Sequence, residues 1–350
     1  MKVPKVSRDA WRPLYVAALE YRDLMPWRFL YDDQLFAVKD PLTGQTGYCC
    51  VLGTLGEVFA LCVYRGSEGL EFYQRIQSGA IGPGDDEIIA GQNTILAEFV
   101  DRGELEKEDL SILKSLNLAI RGRKQYPRFR SYLPGYSQWF LNETEVRFLT
   151  LALMAACHFA GDYLKNKTIL QSDTIDHYLT YMPQQDLDGT HSWIREWSRP
   201  EPVPDPAIAR LPYNEIRLQK LKHMNLKRDT AWEADGLLMP GILQDQDRPY
   251  FARILAVAHH DSGFMLSFNL TPYAADPYPP LTEAIVSAIE KHNRLPSEIK
   301  LANKHAYEAV QPVAESLGLK ITLSKNLKAI KRFKTGLDRQ SEMGFPAPPK

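Results

Sequence analysis

Three short apolar runs, Leu35–Lys39, Gly47–Leu52 and Val58–Tyr64, follow one another with almost no chain between them. Their connections, Asp40-Pro41-Leu42-Thr43-Gly44 and Gly53-Thr54-Leu55-Gly56, are turns by composition. A parallel crossover needs a dozen or more residues, so strands joined this tightly must run antiparallel. The front of the chain is thereby committed to an antiparallel meander that helices must cover. Trp11, Leu14, Ala17, Ala18, Tyr21 and Leu24 recur at helical spacing, with Pro13 tolerable only in the first turn and Met25-Pro26-Trp27 as the stop. Glu68–Gln77 reads as a helix against the meander, Ile88–Val100 as a further strand pair, and Leu105–Leu116 as a short helix with acids in its first turn. Asn142 stands three residues before Glu145, a capping-box pattern, and Val146, Leu149, Leu153 and Ala156 predict a helix to about Tyr163.

At 350 residues the chain is long for one core and suggests two domains. Asp173–Pro206 shows no period and carries Pro183, Pro200, Pro202, Pro204 and Pro206, so residues 165–211 read as an irregular linker with EPVPDP as its stiff part. A second domain is expected over 212–334, opening with alternating Ile216, Leu218 and Leu221, and residues 335–350 as a tail. Asp261-Ser262-Gly263 between Phe251–Ala258 and Phe264–Leu270 predicts a hairpin. A helix (Leu281–His292), a strand (Ile299–Ala302), a helix (Lys304–Leu317) capped by Gly318 and a strand (Leu319–Leu323) follow. The fold class is α+β: an N-terminal antiparallel sheet flanked by helices, then an α/β domain of hairpin-α-β-α-β order.

The 44% hydrophobic and 24% charged fractions are those of a soluble globular protein, and no apolar run approaches a bilayer span. Met1–Arg12 has no apolar core of a signal peptide. Cys49, Cys50, Cys62 and Cys157 show no metal-ligand spacing, and adjacent Cys49 and Cys50 would point to opposite faces of a strand. Reduced thiols in a cytoplasmic protein are the simple expectation.

Arg121–Leu141, RGRKQYPRFRSYLPGYSQWFL, holds five Lys/Arg and six aromatics without one carboxylate, in a chain of net charge −1. Two readings are open. Arg121, Arg123, Arg128 and Arg130 could hold an anion while Tyr126, Phe129, Tyr132 or Tyr136 offers a stacking face. Alternatively the rings plug the first core and the arginines pair with Glu104, Glu106, Glu108 and Asp109. Lys320, Lys325, Lys328, Lys331, Arg332 and Lys334 form a second basic cluster, read as a solvated helix end and tail. The balanced net charge argues against a dedicated nucleic-acid binder.

Catalytic motifs are missing. Gly79, Gly82 and Gly84 match neither a phosphate-binding loop nor a dinucleotide fingerprint, there is no GxSxG, and Cys157 and His158 diverge on a helix. His259-His260-Asp261 reads as a hairpin turn, not a metal site, since neighbouring strand residues face opposite ways. The order of the second half is part of the RNase H-like order, and Pro296–Asn303 looks like the region around an integrase's fourth strand. Two-metal catalysis needs converging carboxylates. With Ala252–Ala258 as first strand there is none there, Asn303 stands where the second acid would fall, and Glu308 and Glu315 have no partners. Such a domain would be a degenerate RNase H-like fold without nuclease activity.

Residues 11–155 resemble a family of uncharacterised bacterial cytosolic proteins, on MPWRFLYDDQLFAVKDPLTGQTGYCCVLGTLGEVFALCVYRGSEGL, FVDRGELEKEDL and RGRKQYPRFRSYLPGYSQWFLNETEVRFL. Through LPSEIKLANKHAYEAVQPVAESLGLKI the second half is similar to the separate domain of unknown function often joined to it. The resemblance implies two domains, over 1–164 and 212–334, and a cytoplasmic location; it assigns no catalytic or binding residue. The reading that stands first is a non-enzymatic binding or adaptor protein, without metal, cofactor or membrane association, that presents the arginine-aromatic segment to an anionic or protein partner. The alternative is a hydrolase or nucleic-acid-processing enzyme assembled from dispersed residues such as Glu57, Asp101 and the arginines.

Overall fold

The structure is a computed structural model that describes residues 3–171, 174, 176–185, 191–203, 214–245 and 247–342. The chain divides into two compact units: residues 1–134, 138–204 and 246–248, and residues 135–137, 205–245 and 249–350.

In the first unit, α1 (Arg8–Leu24) is capped by Ser7, whose hydroxyl accepts from Ala10 N–H at 3.2 Å, and ends at Met25 in the left-handed region. The meander follows as β1 (Phe36–Lys39), β2 (Thr46–Leu52) and β3 (Ala60–Arg65), antiparallel throughout. After α2 (Gly66–Gln77), the expected strand pair over Ile88–Val100 is instead the short helix α3 (Asp86–Ala90) and a single strand, β4 (Thr94–Val100). Asp86 and Glu87 favour a helix start through the backbone dipole, and Gly91 ends it. Next come α4 (Lys107–Ser115), β5 (Tyr126–Tyr132) and α5 (Glu143–Lys165). The α5 capping box is present in both directions, Asn142 and Glu145 exchanging hydrogen bonds of 2.9 Å.

The expected linker over 165–211 needs correction. It contains β6 (Tyr178–Gln185) and β7 (His191–Ser198), which complete a seven-stranded sheet of order β5-β4-β3-β2-β1-β6-β7. Within β6, Pro183 lies past the end of β1, whose parallel pairing stops at Val38↔Tyr181, so a missing N–H costs that ladder nothing. Pro204-Asp205-Pro206 of the expected stiff segment lies outside the described residues.

The sheet is covered on both faces. Trp11, Leu14 and Tyr21 of α1 and Val146, Leu149 and Phe159 of α5 pack on Phe36, Cys49, Val51, Leu61 and Val63. Leu70 and Tyr73 of α2 pack on Ala37, Tyr48, Cys50 and Cys62. Cys49 and Cys50 thus face opposite ways, as strand alternation requires, and all four cysteines are free thiols. Gly47 is required by close approach: a Cβ there would lie 2.6 Å from Val63 and 2.9 Å from Phe148.

In the second unit, the alternation at Ile216–Leu221 proves to be a helix, α6 (Glu215–His223), with Leu218 and Leu221 inward. Then comes a strand the sequence reading passed over, β8 (Lys227–Leu238). The expected hairpin is β9 (Ala252–His259) and β10 (Met265–Pro272), followed by α7 (Tyr278–His292), β11 (Arg294–Leu301), α8 (Lys304–Leu317), β12 (Lys320–Leu323) and α9 (Lys328–Glu342). Residues 335–342, expected as tail, continue α9; residues 343–350 lie outside the described residues.

The five strands lie in the order β10-β9-β8-β11-β12, with β9 antiparallel to both neighbours and β8, β11 and β12 mutually parallel. Numbered along the chain this is 3-2-1-4-5, the RNase H-like order. The true first strand is β8, not Ala252–Ala258. Trp232 and Ala234 of β8 face α7 and α8, whereas Leu237 faces Leu327, Ala329 and Ile330 at the start of α9. Among the described residues, no helix is long and apolar enough to cross a membrane.

Candidate functional site

Most of the basic-aromatic segment is committed to the interior of its own unit. Strand alternation in β5 sends Phe129 into the core, 5.1 Å edge-on from Tyr15 and 6.2 Å from Trp11. Arg130 is 2% exposed and donates to both oxygens of Asp109, at 2.9 and 2.7 Å, and to Glu106 at 2.9 Å. Its guanidinium also sits 4.6 Å from the Phe140 ring centre. Burial works against its charge, yet Asp109 and Glu106 raise its pKa above the ordinary arginine value. Arg128 is held by Glu98 at 2.8 Å and by the Glu104 carbonyl at 3.2 Å. Tyr126 donates to the Ile120 carbonyl and Tyr132 to Gln138. Tyr136 belongs to the second unit and bridges Tyr250. Arg128 and Arg130 therefore do not present themselves to an external anion, as expected of an open site; their carboxylates come from β4 and α4.

What remains at the surface is the turn that precedes β5. Arg121 and Arg123 are exposed, and the backbone N–H of Lys124, at φ 52°, donates to Asp101 at 2.7 Å. Asp101 also lies 3.7 Å from Arg123. It works as the peg of this turn. Glu57 contributes its backbone carbonyl, which accepts from the Lys124 ammonium at 2.8 Å.

Pegged in this way, the turn sends Arg123 and Lys124 to the wall of a cleft of about 980 Å³ in the first unit. Opposite them stand Arg22 and Asp23 from the end of α1, Trp27 and Arg28 just beyond it, and Phe59 before β3. Arg22 is tied to Asp23 at 2.6 Å and to the Gln125 carbonyl at 3.3 Å. Arg28 is exposed and has no ion pair among the described residues. Trp27 and Phe59 lie 5.0 Å apart, with Lys124 5.2 Å from the Phe59 ring. Gly53 allows this: at φ 143°, a Cβ there would lie 2.7 Å from Trp27 and 2.9 Å from Phe59. Four cations and a single carboxylate line the cleft. Only Arg123 could be foreseen; Arg22, Trp27 and Arg28 lie about a hundred residues upstream and Phe59 about sixty, in chain that reads as a helix stop and a strand edge.

The strand order of the second unit implies a two-metal centre at the first strand and the end of the fourth. β8 carries Asp229, Glu233 and Asp235. Glu233 is wholly buried and spent: it accepts from His260 and from the N–H groups of Ala329 and Ile330, at 2.8 and 3.1 Å. His260 in turn meets the Lys300 ammonium at 3.0 Å. Asp229 sits near the opposite end of the strand, held by Trp232 and His259 at 3.1 and 3.2 Å. Asp235 stands one residue past the Ala234↔Leu301 pair, where a metal-binding acid belongs, but Asn303 gives its side-chain oxygen to Ala306 N–H as the α8 cap. The first turns of α9 offer Lys328, Lys331 and Arg332 instead of an acid. Among the described residues, no group of three or more His, Cys, Asp or Glu could hold an ion. The residues do not fit the metal pair, although the first strand does carry acids.

Ser262, His259 and Asp229 form a chain of contacts of 3.1 and 3.2 Å, the order of a hydrolytic triad. The same Ser262 hydroxyl accepts from Phe264 N–H, and Gly263 N–H is taken by the His259 carbonyl, so these two N–H groups are not free to hold an oxyanion. It is the polar lock of the hairpin turn.

The comparisons with known proteins agree with this division. Residues 11–180 match the domain of unknown function DUF7309, and residues 217–338 match the domain of unknown function DUF6930. The chain is a two-domain protein, and each half matches the model of a different domain of unknown function. No curated protein matches it. Solved structures similar to part of the chain include the HTLV-2 integrase catalytic core domain in complex with magnesium. Its dimeric form is 16% identical, covering 31% of this chain and 67% of that one at a TM-score of 0.24. Its trimeric form is 16% identical, covering 35% and 78% at 0.26. The catalytic core domain of BIV integrase is 14% identical, covering 32% and 64% at 0.22. Scores this low carry no argument, and the RNase H-like description rests on strand order alone.

Proposed function

We propose that the protein is a binding module whose first unit takes a small anionic ligand bearing a flat ring. The observation that carries this reading is the cleft formed by Arg22, Arg28, Arg123 and Lys124 with Trp27 and Phe59, where four cations face one acid. Guanidinium groups pair with phosphate or carboxylate oxygens through two parallel hydrogen bonds, and aromatic faces accept a planar ring. A nucleoside phosphate combines both features. The one acid–base–hydroxyl chain described, Asp229–His259–Ser262, lies in the hairpin turn of the second unit and not in this cleft, which favours binding over turnover there.

The test is a thermal-shift series with nucleoside mono-, di- and triphosphates and with inorganic phosphate, at low and high salt. A ligand of the native state must raise the melting temperature. The shift is expected to grow with phosphate number, to shrink as salt rises, and to vanish in the Arg28→Glu, Arg123→Glu double variant. Both positions are exposed, and the variant's own melting temperature without ligand is the baseline from which its shift is read. If none of these compounds stabilises the parent protein at low salt, the reading fails.

A further inference from the structure

The second unit ends its sheet on a strand whose central stretch carries none of the ordinary devices for keeping an edge from pairing. β10 has β9 on one side only. Its sequence, MLSFNLTP, contains no charged residue, in a chain that is 24% charged. Natural edges are protected by lysines, inward charges, prolines or bulges. Here the bulge falls between Met265 and Ser267 and the proline at the last position, so Ser267–Thr271 is regular and unguarded.

The side chains along this stretch are apolar where water should favour polar ones. Phe268 and Leu270 are 65% and 57% exposed. They stand opposite Ala256 and Ile254, whose side chains belong to the apolar face that α9 covers. Among the described residues, that face therefore runs on to the sheet edge and stops there uncovered.

We infer that β10 is a dimerisation strand, pairing antiparallel with β10 of a second copy to make a continuous ten-stranded sheet. The occupant follows from register. An antiparallel pair centred on Asn269 sets Phe268 opposite Leu270 of the partner and Leu270 opposite its Phe268, on one face. The two polar positions Ser267 and Thr271 meet in the same way on the other face. The strand is complementary to itself, as a two-fold interface demands. Phe268 and Leu270 of two copies would cover roughly 400–600 Å² of side chain. That is about a third of a standard interface, so the backbone ladder must supply the rest and the dimer forms only at raised concentration. This inference is independent of the cleft in the first unit.

Sedimentation velocity of the full chain across a concentration series should show a monomer–dimer equilibrium. Asn269→Lys places two ammonium groups face to face at the axis and should abolish the dimer while leaving the melting temperature of this exposed site unchanged. A wild-type chain that stays monomeric throughout, or a dimer that persists in Asn269→Lys, overturns the proposal. Register is read with cysteine. Directly opposed residues have Cα atoms about 4.5–5.5 Å apart, within disulfide range. With oxidised glutathione supplied to take up the electrons, Asn269→Cys should link two chains, whereas Ser267→Cys, which faces Thr271 of the other copy, should not. Equal linking of the two, or none in Asn269→Cys, also refutes it.

Discussion

Arg130 and Asp109 meet through two hydrogen bonds, with their side chains 2% and 5% open to water. The pair joins β5 to α4, and Glu106 adds a third oxygen from the solvent side. Removing only one member strands a buried charge. Arg130→Met should therefore lower the stability of the first unit by about 3–5 kcal/mol, and Arg130→Met combined with Asp109→Leu should recover most of it. Urea unfolding of the three proteins measures both steps. A single variant as stable as the parent would show that the pair contributes nothing.

Asp40 is shut off from water and receives both terminal nitrogens of Arg147, a leucine N–H and the Thr43 hydroxyl. The hydrogen bonds from Arg147 are the main reason its pKa falls from 3.8 to about 2. The folded value lies below the unfolded one, so the stabilisation is complete above pH 4 and is lost as pH falls toward 2. Its size is at most about 2 kcal/mol, because Arg147 is partly exposed. Asp40→Asn should lose stability at neutral pH and flatten the curve between pH 4 and pH 2. An unchanged acid limb in that variant would place the titration elsewhere.

The fold was legible where local chemistry decides it. The meander, the Asn142 cap of α5 and the hairpin at Asp261–Gly263 each rest on residues a few positions apart. β8 escaped notice because its pattern is polar where it should be apolar. Glu233 occupies a core position only because His260, 27 residues on, and the N–H groups of Ala329 and Ile330, almost a hundred residues on, satisfy it. β6 hid behind Pro183 for a similar reason, since a proline argues against a strand until its neighbour is known to be short. The segment at Arg121–Leu141 was visible, but its acids at Glu98 and Asp109 come from other elements, so composition alone could not show which cations remain outside.

Glu233 offers the sharpest test of the second unit. Glu233→Ala leaves the first N–H groups of α9 without an acceptor and empties a packed site, for a loss of about 2–4 kcal/mol. Amide exchange at Ala329 and Ile330 should quicken more than exchange in β9. Equal protection at those two amides in parent and variant would mean that the carboxylate does not hold the helix.

The four thiols should be slow toward alkylating reagents in the native protein. Burial raises each of them, Cys62 and Cys157 to about 12, and only the thiolate reacts. Iodoacetamide at pH 8 should modify none of them before unfolding and all four in urea. A fast-reacting native cysteine would contradict the packing described for β2, β3 and α5.

β1 is short and sits mid-sheet, tied off on its far side by chain made about 140 residues later. During synthesis the meander therefore waits with an open edge at Ala37 and Val38, and with Phe36 and Phe159 missing the Tyr181 ring that closes over them. A fragment cut at residue 164 would be trapped permanently in that unfinished state, sticky along one side. The natural place to stop an autonomous first half is after Ser198, beyond the last residue matched to DUF7309.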